Sequence, residues 1–206
     1  MHQTRKASST KLPIPRKGTK YIARASSHLN DSVPVVIAIR DMLKLARTAK
    51  EVKEMIKDKL LKINGKIVRD YRESIRLFNI FEADKPYKLT IIGTGKFAFE
   101  EEKNSELRTC KIVNKRLLKS GKIQFNLHDG SNILSKENMR IGDSIQLDFS
   151  GNIKNLIRLD KGSGVFIFSG KYKGIPGKVL SIEDKKARIK FKEGEAELNC
   201  SQLIAI

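Results

Sequence analysis

The chain has 206 residues, 39% of them hydrophobic, and carries 42 Lys and Arg against 23 Asp and Glu, a formal net charge of +19. That length and apolar content allow one large core or two or three small ones and exclude a disordered chain. The charge excess would cost stability by self-repulsion unless a polyanion offset it, which makes nucleic acid the expected partner.

From Met1 to Asn30 no acidic residue occurs, while Arg5, Lys6, Lys11, Arg16, Lys17, Lys20 and Arg24 recur around Pro13-Ile14-Pro15. By itself such a stretch cannot bury enough apolar area to offset its ordering entropy. It reads either as a solvated tail or as a basic arm, residues 1–33, that orders on RNA; the exclusion of acids favours the arm. Pro34 marks the entry to a first helix expected to run to about Ala46. At 100° per residue Arg40, Lys44 and Arg47 share a narrow arc, and Val36, Ile39, Leu43 and Ala46 form the adjoining apolar stripe. Thr48-Ala49-Lys50-Glu51 fits a capping box. A second helix is expected from there to about Leu60, with Val52, Met55, Ile56 and Leu60 facing inward. Glu51, Glu54 and Asp58 fall on one outer flank and Lys50, Lys53 and Lys57 on the other. Mixed charge on a helix usually means solubility; segregation of the signs in two successive helices favours a binding face.

Asn64-Gly65 supplies the positive φ angles of a type I′ turn, so Leu61 to Val68 reads as a hairpin with Lys62 and Lys66 projecting together and Arg69 just beyond. Short strands are expected at Ile75 to Phe81 and Lys88 to Ile92. Gly93-Thr94-Gly95-Lys96 has its glycines too close for a phosphate loop and Phe97 where a magnesium-binding hydroxyl belongs, so it reads as a turn. After Glu100-Glu101-Glu102, a series of strands follows from Cys110 to Leu159: Ile123, Phe125 and Leu127, and again Ile145, Leu147 and Phe149, alternate with polar residues. His128-Asp129 is no catalytic dyad, because no nucleophile motif accompanies it; it reads as a turn entry. The last segment, from Lys161, alternates strands with a basic loop containing Gly170, Lys171, Lys173, Gly174 and Gly177. Those glycines suit tight turning and close approach to a partner about equally.

The longest apolar runs, such as Val35 to Ile39, are far too short to span a bilayer, and the N-terminal residues lack the apolar core of a secretion signal. Cys110 and Cys200 are too few for a disulfide scaffold and have no Cys or His at metal-ligand spacing, so two reduced, mostly buried thiols and no metal are expected. His2, His28 and His128 are scattered and read as surface or turn residues.

A helix pair followed by Leu61-Lys62-Ile63-Asn64-Gly65-Lys66 resembles the S-four RNA-binding domain of ribosomal proteins, pseudouridine synthases and tyrosyl-tRNA synthetases. The glycine-punctuated end resembles a KOW motif, with Gly170, Gly174 and Gly177 at its glycine positions. Together with Pro34 to Asp41, Ile63 to Lys66 with Asp70, Gly142 to Asp148 and Gly151-Asn152-Ile153, the order of modules is similar to the archaeal and eukaryotic S4e family of small-subunit ribosomal proteins. The resemblance implies an α+β multidomain chain: arm 1–33, S-four-like domain 34–92, β-rich middle 93–160, KOW-like β-barrel 161–206. It also implies a cytoplasmic, ribosome-bound structural protein that holds ribosomal RNA of the small subunit, touches neighbouring ribosomal proteins, and is monomeric when free. No cofactor, small-molecule substrate or membrane is expected. Asn64 stands where that family often has Asp, Tyr71-Arg72-Glu73 replaces its Tyr-Pro turn, and the end at Ile206, without a long basic tail, suggests an archaeal source.

The expected RNA contacts are therefore Arg5, Lys6, Lys11, Arg16, Lys17 and Lys20 of the arm, Arg40, Lys44, Arg47, Lys50, Lys53 and Lys57 of the helices, Lys62, Asn64, Lys66 and Arg69 of the hairpin, and Lys171 and Lys173. Gly65, Gly170, Gly174 and Gly177 are expected as turn residues. The rival functions are an S-four-bearing RNA-modifying enzyme, which would need a catalytic domain where this chain has short strands, a KOW-bearing transcription factor, and an RNA chaperone.

Overall fold

In the computed structural model, the acid-free N-terminal stretch is folded: β1 (His2–Thr4) pairs antiparallel with β2 (Tyr21–Ala23). Residues 2–102, 106–119, 121–192 and 194–206 are described. The chain divides into two units, Met1–Ser105 and Glu106–Ile206, and each has its own sheets and core.

Expected to gain order only from RNA, the arm instead gains it from the rest of its unit. Leu12, Ile22 and Ala25 are buried, the Phe97 amide donates to the Lys11 carbonyl at 2.8 Å and the Ser26 amide to the Arg72 carbonyl at 2.9 Å. The arm's few apolar residues would not suffice alone, but they add to a core that already exists.

The first unit continues with β3 (Ser32–Pro34), α1 (Val35–Ile37), a π-helical turn (Ala38–Met42), α2 (Ala49–Lys57), β4 (Lys62–Ile63), β5 (Lys66–Ile67), β6 (Ser74–Arg76), β7 (Ile80–Glu82), β8 (Pro86–Ile91) and β9 (Phe97–Glu101). β3 pairs with β6, and β5-β4-β7-β8-β9 form a five-stranded antiparallel sheet. The first helix departs from expectation. Val35 to Ile39 are all buried, so packing surrounds the segment instead of touching one stripe. The Leu43 amide then reaches the Ala38 carbonyl at 2.9 Å, an i to i+5 bond, and Lys44 takes a φ of +58°. No helix continues to Ala46, and the arc that would align Arg40, Lys44 and Arg47 does not form.

The second helix begins where the capping box places it: Thr48 accepts from the Glu51 amide at 3.3 Å. It stops at Lys57, short of Leu60. Lys59, at φ +58°, donates to the Ile56 carbonyl at 3.0 Å and Leu60 to that of Met55 at 3.1 Å, the paired bonds of a Schellman cap. Reversing the chain there leaves Leu60 56% exposed and sends Leu61 into the core, the opposite of the helical projection. The strand expected from Ile75 to Phe81 is two strands, broken where Phe78 adopts φ +61°.

The second unit holds two five-stranded antiparallel sheets. The first has the order β12-β11-β10-β13-β14, from β10 (Leu107–Leu117), β11 (Ile123–Leu127), β12 (Asn132–Ser135), β13 (Ser144–Asp148) and β14 (Ile153–Ile157). β10 serves both halves: Leu107 to Lys111 pair with β13, and from Ile112 onward the strand pairs with β11, with a bulge at Val113. Cys110, Ile112, Phe125, Leu127, Met139, Ile145 and Leu147 form its core. The second sheet, in the order β18-β17-β16-β15-β19, is built from β15 (Gly164–Ile167), β16 (Pro176–Glu183), β17 (Lys186–Phe191), β18 (Gly194–Asn199) and β19 (Leu203–Ala205), over Val165, Ile167, Val179, Ala187, Ile189 and Leu203. The whole is a mixed α+β, multi-sheet architecture.

Candidate nucleic-acid interface

The turn at Asn64-Gly65 forms as its residues dictate, with φ of +49° and +75°. A two-residue turn places Ile63 opposite Lys66 and Lys62 opposite Ile67. Directly opposed residues share a face and neighbours along a strand alternate, so Lys62 and Lys66 lie on opposite faces and do not project together. Lys62 is also opposite Glu82 on β7 and pairs with it at 3.6 Å. Asn64 is structural here: its side-chain oxygen accepts from the Ile80 amide at 2.9 Å, and its own amide donates to the Ile80 carbonyl at 2.8 Å, locking the hairpin tip to β7.

The cations of the helical region divide into committed and available groups. Arg40 forms a two-pronged pair with neighbouring Asp41, at 3.0 and 2.7 Å, and this bonding holds the guanidinium above its usual pKa. Lys44, Arg47, Lys50, Lys53 and Lys57 are exposed. The Arg47 amide and Thr48 hydroxyl both donate to the Glu51 carboxylate at 2.8 Å, and these bonds, the Arg47 amide first, lower the Glu51 pKa. Glu51, one of the three acids beside the basic flank, is thereby spent on capping the helix.

A shallow depression of about 420 Å³ gathers Lys53, Ile56 and Lys57 from α2 with Arg69, Asp70 and Tyr71 from the segment after the hairpin. The Lys53 ammonium lies 5.0 Å from the centre of the Tyr71 ring and the Arg72 guanidinium 5.4 Å from it, a cation–π arrangement that holds both charges at the rim. Asp70 forms a two-pronged pair with Arg72, at 2.7 and 3.1 Å, which lowers the Asp70 pKa and offsets its charge locally. The depression thus offers cations held against an aromatic ring, with the acid that lines it already neutralised, a combination suited to phosphate. Tyr71 and Arg72 were not singled out from the sequence as contacts; the signal available was an aromatic inside the Arg69 to Arg72 charge cluster.

In the arm, Arg5 is structural: it donates to the Thr19 carbonyl, the Pro15 carbonyl and the Thr19 hydroxyl, each at 2.8 Å. Lys11 pairs with Asp31, and Arg16 reaches the Ser8 carbonyl at 3.4 Å. Lys6, Lys17 and Lys20 are exposed, Lys20 lying 5.3 Å from the Tyr21 ring. In the second unit, Lys171 is exposed beside Tyr172, which stacks on Phe191 at 5.1 Å, and Lys173 is half-buried. Gly170 and Gly174 have φ of +89° and +85°, as turns require. Gly177 is required by space: a Cβ there would meet Ile189 at 2.5 Å.

Sequence reading also missed the charges buried in the second unit. Asp129, with a side chain only 2% exposed, pairs with Arg108 and accepts from the Ser131 amide at 2.9 Å and hydroxyl at 2.6 Å. Burial pushes its pKa up, but Arg108 and Ser131 more than offset this and leave it lowered. His128-Asp129 is therefore a structural turn. Lys111, 4% exposed, donates to the Cys200 and Ser201 carbonyls at 2.7 and 2.9 Å; burial lowers its pKa to about 8. Both cysteines are free, and burial raises the Cys110 pKa. Among the described residues no cluster of His, Cys, Asp and Glu could hold a metal ion, and no helix is long and apolar enough to cross a membrane.

Exposed cations grouped around a helix and hairpin define a polyanion-binding surface, and the comparisons place the chain among ribosomal proteins. A family model described as Ribosomal family S4e matches residues 83–152. The small ribosomal subunit protein eS4 of Methanocella arvoryzae is 32% identical over 189 residues, covering 88% of this chain and 81% of that protein. Its counterpart from Archaeoglobus fulgidus is 29% identical, covering 89% and 80%. The crystal structure of the 30S ribosomal protein S4e from Thermoplasma acidophilum shares the fold, with a TM-score of 0.74, 22% identity, and coverage of 85% of this chain and 95% of that one. The chain belongs to the S4e family of ribosomal proteins.

Proposed function

We propose that this chain is a structural, non-catalytic constituent of the small ribosomal subunit that binds ribosomal RNA and supports subunit assembly and translation. The observation that carries this is the 32% identity to a small ribosomal subunit protein across 81% of that protein's length. The net charge of +19 is what such a partner would neutralise. Within this reading residues 34–92 act as an S-four-like RNA-binding module behind the basic arm, and the β-rich middle leads to a KOW-like barrel built from β15 to β19. The Asn64-Gly65 hairpin after α2 supports the first assignment, and the glycines at 170, 174 and 177 support the last. Binding is backbone recognition without chemistry, in the cytoplasm on the ribosome, with neighbouring ribosomal proteins as further partners and a monomer when free.

The RNA-facing cations are Lys44, Arg47, Lys50, Lys53, Lys57, Lys66 and Arg69, joined by Lys6, Lys17 and Lys20 of the arm and by Lys171. They would displace counterions from folded RNA, so log affinity falls with log salt by ~0.7–0.9 per neutralised phosphate. Replacing Arg47, Lys53, Lys57 and Arg69 together by Ala should weaken binding to a small-subunit ribosomal RNA transcript and flatten that slope by about 3. An unchanged slope would remove this face from the interface. On a sucrose gradient the protein should sediment with small subunits; sedimentation with RNA polymerase or at the top of the gradient would count against the ribosomal assignment itself.

A further inference from the structure

The outer face of β10 to β12 carries a row of amides that the interface above does not use; within the fold, Asn114 Oδ1 accepts from the Lys115 amide at 2.8 Å. Pairing register puts Asn114 opposite Asn126 and Asn126 opposite Asn132, one Asn on each of three adjacent strands. The next row outward is Arg116, Gln124 and Leu134, on the same face by the two-residue alternation. Gln124 Nε2 donates to Asn126 Oδ1 at 3.2 Å, linking the rows. The intervening row, Lys115, Phe125 and Ile133, points to the other side, where Phe125 and Ile133 are buried. Asn114, Arg116 and Asn132 are exposed, and so is Leu134, at 58%.

Two features set this face apart from an ordinary solvated sheet. Asn is depleted in strands, where Thr, Val or Lys would cost less, and three directly opposed copies in one row accept that cost three times. The stretch is also nearly free of acid: from Leu107 to Lys136 the only one is Asp129, buried against Arg108, while Arg116, Lys119 and Lys122 stand on or beside the hairpin joining β10 and β11. Such a surface matches a polyanion in charge. Amides, which donate and accept, match ribose 2′-hydroxyls, which also donate and accept, and A-form RNA displays these along its wide, shallow minor groove.

We propose that this face is a second RNA-binding surface, in which Asn114, Asn126 and Asn132 hydrogen-bond ribose 2′-hydroxyls of a folded RNA while Arg116, Lys119 and Lys122 meet its phosphates. The assignment rests on the ribosomal reading above and adds to it a contact made by the middle of the chain, chosen for RNA over DNA.

The test uses the full chain. Wild type and the triple variant Asn114→Ala/Asn126→Ala/Asn132→Ala are titrated against a small-subunit ribosomal RNA transcript and against DNA of the same sequence. The variant should lose at least about tenfold in affinity for RNA, since one net hydrogen bond is worth about fivefold, and should bind DNA as wild type does. Unchanged RNA affinity, or an equal loss on DNA, overturns the proposal. As a check that needs no variant, hydroxyl-radical labelling of Leu134 in wild type should fall when the transcript is added; undiminished labelling also overturns it. In assembled subunits this face should cross-link to RNA, and cross-links solely to another protein would refute it. If wild type fails to bind the transcript at all, the ribosomal reading falls with it; if wild type binds and the variant equals it, only this face is lost.

Discussion

The helix–hairpin face of the first unit and the β10 strand of the second use the same residue types in opposite ways. Lys53 and Lys57 stand in solvent at the rim of a depression, and the acid that lines it with them, Asp70, is taken by Arg72. Lys111 and Arg108 are drawn inward, Lys111 onto two carbonyls and Arg108 onto Asp129. An exposed cation without a partner gives little to folding and much to binding a polyanion. A buried cation with satisfied bonds does the reverse, because removing its partner strands a charge away from water. A count of Lys and Arg therefore overstates the interface.

The sharpest way to break this contrast is Asp129→Ala, which leaves Arg108 unpaired and should cost about 3–5 kcal/mol in urea unfolding; a cost under ~1 kcal/mol would class the pair with surface bridges. Next comes the pH dependence from Lys111. Its folded pKa, about 8, lies below the ordinary 10.5. Between those values the unfolded chain holds more protons, so stability rises with pH there, by up to about 3 kcal/mol from this group. Lys111→Met should abolish that rise, and melting curves from pH 7 to 11 would show whether it persists. In the first unit, Asn64→Ala loses the bond to the Ile80 amide and strains a left-handed residue; a destabilisation of about 2 kcal/mol is expected, read by thermal melting. The smallest effect sharpens the exposed side of the comparison: Lys57→Ala should lower the salt slope of RNA binding by about 1 and Arg40→Ala, held by Asp41, by much less. Equal slopes would dissolve the distinction between committed and available cations.

Where a feature depends on a few neighbouring residues, it could be read in advance. The Asn-Gly turn follows from its positive φ requirement, the Thr48 cap from its hydroxyl and Glu51, and β11 and β13 from strict alternation. Misreadings arose wherever distant packing decided the matter. The apolar spacing of Val36, Ile39 and Leu43 fits an α-helix, but a segment buried on all sides has no stripe to enforce that pitch, and the backbone widened into a π turn. Lys62 and Lys66 seemed partners because both flank the turn; pairing register puts them on opposite faces. The arm's order could not be foreseen, since its supports, such as the Phe97 amide on the Lys11 carbonyl, lie far along the chain.

The sequence by itself determined the charge balance, the local punctuation of turns and caps, and through its family resemblance the ribosomal assignment, because each depends on composition or on residues close together in the chain. Tertiary structure alone decided which cations are spent. Arg108 meets Asp129 across 21 positions and Lys111 meets Cys200 across 89. The Asn114, Asn126 and Asn132 row likewise exists only once three strands are in register. Burial and pairing are properties of the folded chain, and they determine whether a Lys or Arg holds the protein together or remains free to hold RNA.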